Sequence, residues 1–175
     1  MARKKKSLCI VLQKKILLNK DILLTLFTWE FGKIHVFAKG IKKITSRRSP
    51  HIQTGNLIEA IISYKEYKYF LDETTLISCF SKIKDKEVKL NAMYYYFFVL
   101  ERLLPENQKE EQVFILSKKY LVDLSCNKNN INKLLSNYLN KLMSILGYGE
   151  KERSFQDLVS FIEDIINEKT PILII

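Results

Sequence analysis

The spacing of apolar residues changes once along this chain, near Lys82, and that change decides its architecture. From Leu8 to Phe80 the apolar residues come in short runs rich in Val, Ile, Tyr, Phe and Thr, broken at Asn19-Lys20-Asp21, Gly32, Gly40 and Ser46–Gly55. Such runs are strands. They are expected at Leu8–Leu17, Ile22–Thr28, Lys33–Ala38, Leu57–Tyr64, and Tyr69–Leu71 leading on to Leu76–Phe80, with the stretch Lys39–Gly55 as a long loop. Five strands in so few residues, with no helical period between them, favour a small antiparallel barrel of the OB type over a parallel sheet.

Beyond Lys82 the apolar residues recur every three or four positions. Leu90, Met93, Phe97, Leu100 and Leu104 predict a helix that stops at Pro105. Val113, Ser117, Tyr120, Leu121 and Leu124 predict a second, and Ile131, Leu134, Leu135, Tyr138, Leu139, Leu142, Ile145 and Leu146 a third, ending at Gly147. Ser154 with Asp157 opens a fourth in the manner of a capping box. The expected fold is therefore α+β: an OB-fold domain over residues 1–80 and a helical bundle over 83–175. The run Tyr94-Tyr95-Tyr96-Phe97-Phe98 resembles a base-stacking platform, but successive helix positions point in different directions, so it is read as core. The ending Pro171-Ile172-Leu173-Ile174-Ile175 is expected to lie against the bundle.

Charge divides the chain at nearly the same place. Residues 1–78 hold 15 Lys and Arg against 6 Asp and Glu; residues 79–175 hold 14 against 13. Lysine is spread along both halves, so it is the shortage of acids in the first half that needs an explanation. No acid lies between Glu30 and Glu59, and Lys39, Lys42, Lys43, Arg47 and Arg48 fall within ten residues. Phosphate oxygens are the common partner for such a cluster, because each contact releases a condensed counterion. Lys39, Lys42, Lys43, Arg47 and Arg48 are accordingly the nucleic-acid-binding candidates, with Lys33 beside them and Arg3–Lys6 in a secondary role. Trp29, Phe31, Phe37 and Tyr64 are available either for stacking on bases or for the barrel core.

Other chemistry lacks its residues. The five glycines form no phosphate-cradling loop. Only His35 and His51 offer imidazole, the first in a strand and facing out of the barrel, the second in the basic loop, and no Ser sits in a Gly-x-Ser-x-Gly turn. Cys9, Cys79 and Cys126 are odd in number and far apart, which suits neither disulfides nor paired zinc ligands. No catalytic residue, cofactor or metal is expected. The longest uncharged stretch, Leu90–Leu100, is far short of the roughly 20 apolar residues of a membrane span, and no secretory signal is recognisable, so a cytoplasmic protein is expected.

The segments Ile22–Ile34, Phe37–Lys43 and Ser46-Arg47 resemble the amino-terminal barrel of the bacterial RecO family. Tyr94–Pro105, with its Leu103-Leu104-Pro105-Glu106 ending, and Leu142–Gly149 resemble that family's helical part. The resemblance implies a non-enzymatic recombination mediator in DNA repair. Such a factor binds single- and double-stranded DNA, anneals complementary strands, and works with RecR and the single-stranded DNA-binding protein to load RecA. It also implies a reduced member, since the family's cysteine-rich zinc module is missing where Glu150-Lys151-Glu152-Arg153 leads straight into the last helix. Within that picture the carboxy-terminal tail of the single-stranded DNA-binding protein would dock on the helical half, at a groove edged by Lys118, Lys119, Lys133 or Lys141. The alternative left open is a protein-interaction scaffold whose basic barrel meets acidic partners instead of DNA.

Overall fold

A strand long enough to pair with two neighbours on the same edge-to-edge path lets a small sheet curl shut. In the computed structural model, which describes residues 3–18, 21–38, 49–127, 130–149 and 151–171, the first strand does this. β1 (Arg3–Ile16) pairs through Arg3–Ile10 with β4 (Leu57–Lys65) and through Cys9–Ile16 with β2 (Ile22–Thr28), with a register shift between Val11 and Gln13. β3 (Gly32–Ala38) follows β2 antiparallel, β5 (Lys68–Ser78) follows β4 antiparallel, and β3 meets β5 in parallel at Val36–Tyr69 and Phe37–Phe70. The result is a closed barrel in the order β1-β2-β3-β5-β4, an OB-fold whose pairings are antiparallel except for this last one.

Alternation along the strands sets the barrel's interior. Leu24, Leu26, Ile34, Val36, Ile58, Ala60 and Ile62 point inward with Cys9 and Val11, and Ile52 fills the interior from the segment before β4. A slip of one residue would turn each of these outward, at about 1.5–3 kcal/mol for every large aliphatic side chain exposed. Asn56 holds the approach to β4: its Nδ2 donates to the carbonyls of Pro50 (3.0 Å) and His51 (2.8 Å), while its own carbonyl accepts from the Val11 amide (3.0 Å).

Contacts divide the chain into two units, Met1–Cys79 with Pro105–Phe114, and Phe80–Leu104 with Ile115–Ile175. In the first unit the return segment lies on the barrel. The Asn107 amide donates to the Lys33 carbonyl (2.9 Å), Glu106 pairs with Lys33 as a parallel bridge, and the Phe114 ring meets Phe27 and Trp29 edge-on at 5.3 and 5.6 Å.

The second unit holds α1 (Ser81–Lys84), α2 (Glu87–Leu103), most of α3 (Glu111–Cys126), α4 (Ile131–Ile145) and α5 (Phe155–Ile166). A tyrosine stack forms its centre: Tyr96 and Tyr120 rings lie 4.3 Å apart and Tyr120 and Tyr138 5.2 Å. Each buried hydroxyl of the stack is partnered, Tyr96 with Ser117 Oγ (3.2 Å), Tyr120 by donating to the Ala92 carbonyl (3.0 Å), and Tyr138 by donating to Asp123. Tyr95 and Phe97 are buried too, whereas Tyr94 is 48% exposed, so the aromatic run is mainly core. Gly147, at φ 84°, ends α4 with the Tyr148 amide donating back to the Met143 carbonyl (2.9 Å). Ser154 Oγ caps α5 by accepting from the Asp157 amide (3.3 Å).

Three elements depart from expectation. β1 begins at Arg3 rather than Leu8, because the backbone of the lysine run pairs with β4 whatever its side chains do. β5 is one strand from Lys68 to Ser78, its polar middle carried past a register shift at Ile61–Ile62 of β4. α1 is an added turn of helix. The aliphatic ending 172–175 lies outside the described residues.

Candidate nucleic-acid interface

The strand registers bring one end of the barrel together. Arg3 pairs with Tyr64, Tyr64 with Tyr69, and Tyr69 with Val36, so a single row runs across β1, β4, β5 and β3. Two residues beyond Val36 the chain leaves β3 at Ala38 and enters Lys39–Arg48. Because β3 runs parallel to β5 here, the chain leaves β3 heading away from the β4–β5 turn, and Phe31 precedes the other end of β3.

Rings and a lysine gather beside this row. Tyr64 and Tyr69 rings lie 4.9 Å apart, Phe31 and Tyr69 5.7 Å, and Lys5 Nζ sits 5.3 Å from the centre of the Phe31 ring. With Ile62 these four line an open cavity of about 180 Å3 at the barrel mouth. Burial, reinforced by the neighbouring Tyr64 hydroxyl, raises the Tyr69 phenol above its ordinary value and keeps it neutral. A ring wall with an ammonium at its rim is suited to a base whose phosphate stays in solvent.

Beside the mouth, the β4–β5 turn places Glu66 and Tyr67 at φ 49° and 60°, the two-residue primed geometry of a tight hairpin. Tyr67 projects from it 93% exposed, between Lys65 and Lys68, which are also exposed. On the outer surface Lys68 Nζ lies 5.7 Å from the centre of the Phe37 ring, and Phe37 and Phe70 rings are 5.9 Å apart. Two of the nearby lysines are already matched: Lys4 with Asp72 at 3.1 Å and Lys6 with Glu59 at 2.7 Å.

Lys39, Lys42, Lys43, Arg47 and Arg48 lie outside the described residues. Lys33, grouped with them by charge pattern, is only 8% exposed, because the return segment bonds to its backbone and covers it. Of the four aromatics that sequence left open, Phe31 and Tyr64 face the mouth, Phe37 faces outward, and Trp29 is engaged by Phe114 and by Lys109 Nζ at 5.4 Å. Tyr67 and Tyr69 were missed, although the Lys65-Glu66-Tyr67-Lys68 spacing marks a hairpin tip with a ring between two cations.

Both histidines take structural bonds. His35 faces out of the barrel, with Nδ1 3.2 Å from Thr25 Oγ1 and Nε2 3.0 Å from Glu106 Oε1; His51 Nδ1 is 3.0 Å from Thr74 Oγ1. Burial raises the Cys9 thiol far above its ordinary value, which makes it a poor nucleophile. Among the described residues no three of His, Cys, Asp and Glu gather as a metal site, and no helix is long and apolar enough to cross a membrane. In the helical unit Lys118, Lys119, Lys133 and Lys141 are all exposed. Of these, Lys141 lines a polar cleft of about 450 Å3 with Ser136, Asn137, Asn140, Ser144, Glu152 and Arg153.

Residues 1–80 match the family model described as Recombination protein O N terminal. Over 143 residues the chain is 28% identical to a DNA repair protein RecO of Caldanaerobacter subterraneus and 29% identical to one of Thermoanaerobacter sp., covering 82% of this chain and 58% of each relative. It is 26% identical over 146 residues to the DNA repair protein RecO of Chlorobium limicola, covering 82% of this chain and 56% of that one. The chain thus matches less than two thirds of the length of these relatives.

Proposed function

We propose, from its likeness to the recombination protein O family over residues 1–80 and to DNA repair proteins RecO, that this chain is a DNA-binding recombination mediator in DNA repair, without enzymatic activity and without a cofactor. The observation that carries the reading is the Lys5–Phe31–Tyr64–Tyr69 mouth of the barrel, a wall of rings with an ammonium beside it. Phosphates would be held by Lys39, Lys42, Lys43, Arg47 and Arg48, and unpaired bases would stack at the mouth and on Tyr67. Neutralising the phosphates of two strands on one surface lowers their mutual repulsion, which is the physical requirement for annealing.

In this reading the protein works in the cytoplasm on single- and double-stranded DNA and helps load RecA onto strands coated by the single-stranded DNA-binding protein. RecR and the tail of the single-stranded DNA-binding protein are its protein partners, the tail docking on the helical unit near Lys118, Lys119, Lys133 and Lys141. The deciding experiment is a salt titration of oligonucleotide affinity for the full chain and for the Lys42→Glu/Arg47→Glu variant. Each lost phosphate contact should flatten the slope of log affinity against log salt by about 0.7 for single strands and about 0.9 for duplexes. Unchanged low-salt affinity in the double variant would remove the loop from the interface, and tight salt-insensitive binding of an acidic protein instead of DNA would favour a scaffold.

A further inference from the structure

The helical unit carries a basic cavity of its own, built from residues that the reading above does not use. Lys82 of α1, Asp85 and Lys86 of the turn after it, and Lys89 of the first turn of α2 face Ser125, Cys126 and Asn127 at the end of α3 across about 290 Å3. Three lysines thus line the space against one aspartate. Lys82 and Lys86 are exposed, and Lys89, which also lines the cavity, is only 5% exposed.

Lys89 Nζ donates to the Ser125 carbonyl at 2.8 Å, and an ammonium has three hydrogens to place. Burial depresses its pKa, the charge of Lys86 adds to the depression and that of Lys82 adds less, while Cys126 acts in the opposite direction. The carbonyl end of α3 contributes about half a negative charge, and the amino end of α2, which has no side-chain cap, about half a positive one. Those two roughly offset. What remains is a surplus of lysine charge around an open space, and an anion entering it would relieve the repulsion.

We propose that this cavity is a phosphate-binding site, taking the phosphate of a nucleic-acid backbone or of a free nucleotide. Lysine serves phosphate as a point charge, without the flat paired geometry that an arginine site imposes. The lining has no aromatic or branched aliphatic side chain of the kind that grips the apolar anchor of an acidic peptide, its side chains being lysine, aspartate, serine, cysteine and asparagine.

Cys126 lines the cavity and is exposed, which makes its alkylation a native reporter of occupancy. The full chain carrying Cys79→Ser, which removes the other exposed thiol, would be treated with iodoacetamide in the presence of pyrophosphate, a single-stranded oligothymidylate or polyglutamate. Pyrophosphate or the oligonucleotide should slow Cys126 alkylation at least threefold, and Lys82→Glu and Lys86→Glu should each abolish the protection while leaving the melting curve in place. Protection by the oligonucleotide at lower concentration assigns the backbone; protection by pyrophosphate alone assigns a free nucleotide. Lys42→Glu/Arg47→Glu should leave the pyrophosphate effect intact, which separates this site from the barrel. No protection by either phosphate compound, or equal protection by polyglutamate, would overturn the assignment.

Discussion

A side chain on Gly32 would collide with the backbone of Gln108: a Cβ built there lies 1.7 Å from the Gln108 carbonyl oxygen. Gly32 also has φ +70°, a conformation that side chains rarely adopt. Its neighbours fix it there. Thr28 Oγ1 accepts from the Phe31 amide (2.9 Å) and donates to the Gly32 carbonyl (3.0 Å), and Ser7 Oγ accepts from the Glu30 amide (3.2 Å).

Gly32→Ala should therefore destabilise the barrel unit by about 2–4 kcal/mol, combining the left-handed backbone with the steric overlap. Urea unfolding followed by far-ultraviolet dichroism measures this. A loss under about 1 kcal/mol would mean that the return segment yields easily, and that the contact with Gln108 does little to hold it.

This relationship also marks where sequence stops being informative. Leu24, Leu26, Ile34, Val36, Ile58 and Ile62 announce their strands because burial of one face imposes a period of two. Pro105–Glu110 has no such period and reads as a linker. It lies on the barrel through the Lys33 carbonyl and the bare backbone of Gly32, and neither contact leaves a side-chain pattern. The same blindness shortened β1, since Lys4, Lys5 and Lys6 read as a solvated terminus although their backbones pair with Ser63, Ile62 and Ile61. Phe31 and Tyr64 were legible as ring candidates, but their meeting with Tyr69 and Lys5 depends on cross-strand register.

Tyr67→Ala should weaken single-stranded DNA by about 1–3 kcal/mol, the usual value of one stacked base, while the salt slope stays that of the parent. Loop charge reversals should do the opposite, flattening the slope. Fluorescence anisotropy with oligothymidylate at several salt concentrations separates the two effects. Because Tyr67 is 93% exposed, its removal should not alter the melting temperature; undiminished affinity would leave the hairpin tip out of the interface.

The aromatic run of α2 should behave as core. Tyr96 is fully buried between Tyr120 and Ser117. Tyr96→Phe leaves Ser117 without its partner hydroxyl and should cost about 1–2 kcal/mol, whereas Tyr96→Ala should cost about 3–5 kcal/mol through the cavity it opens. Tyr96→Phe should bind DNA as the parent does. Weakened binding with unchanged stability would instead make the run a stacking surface.

Acid should loosen the segment after α5. Glu163 Oε2 pairs with Lys169 Nζ at 2.6 Å, while its Oε1 accepts from both the Thr170 amide and the Thr170 hydroxyl at 3.0 Å. The hydrogen bond from Lys169 first, then that from the Thr170 backbone, lowers the carboxyl from its ordinary 4.5 to about 2. A carboxyl held lower in the folded chain than in the unfolded one stabilises fully above the unfolded value, and that contribution is lost as pH falls. The window is therefore from about pH 4.5 down to about pH 2. Amide exchange at Thr170 should quicken across that window, relative to the intrinsic rate, while the α5 amides respond less. Glu163→Gln cannot be protonated there, so it should show weaker protection at neutral pH and a smaller loss on acidification, the remainder coming from Glu168, whose carboxyl the hydrogen bond from Arg102 also lowers. Equal protection of the Thr170 amide in parent and variant at pH 7 would show that the carboxylate does not hold this segment.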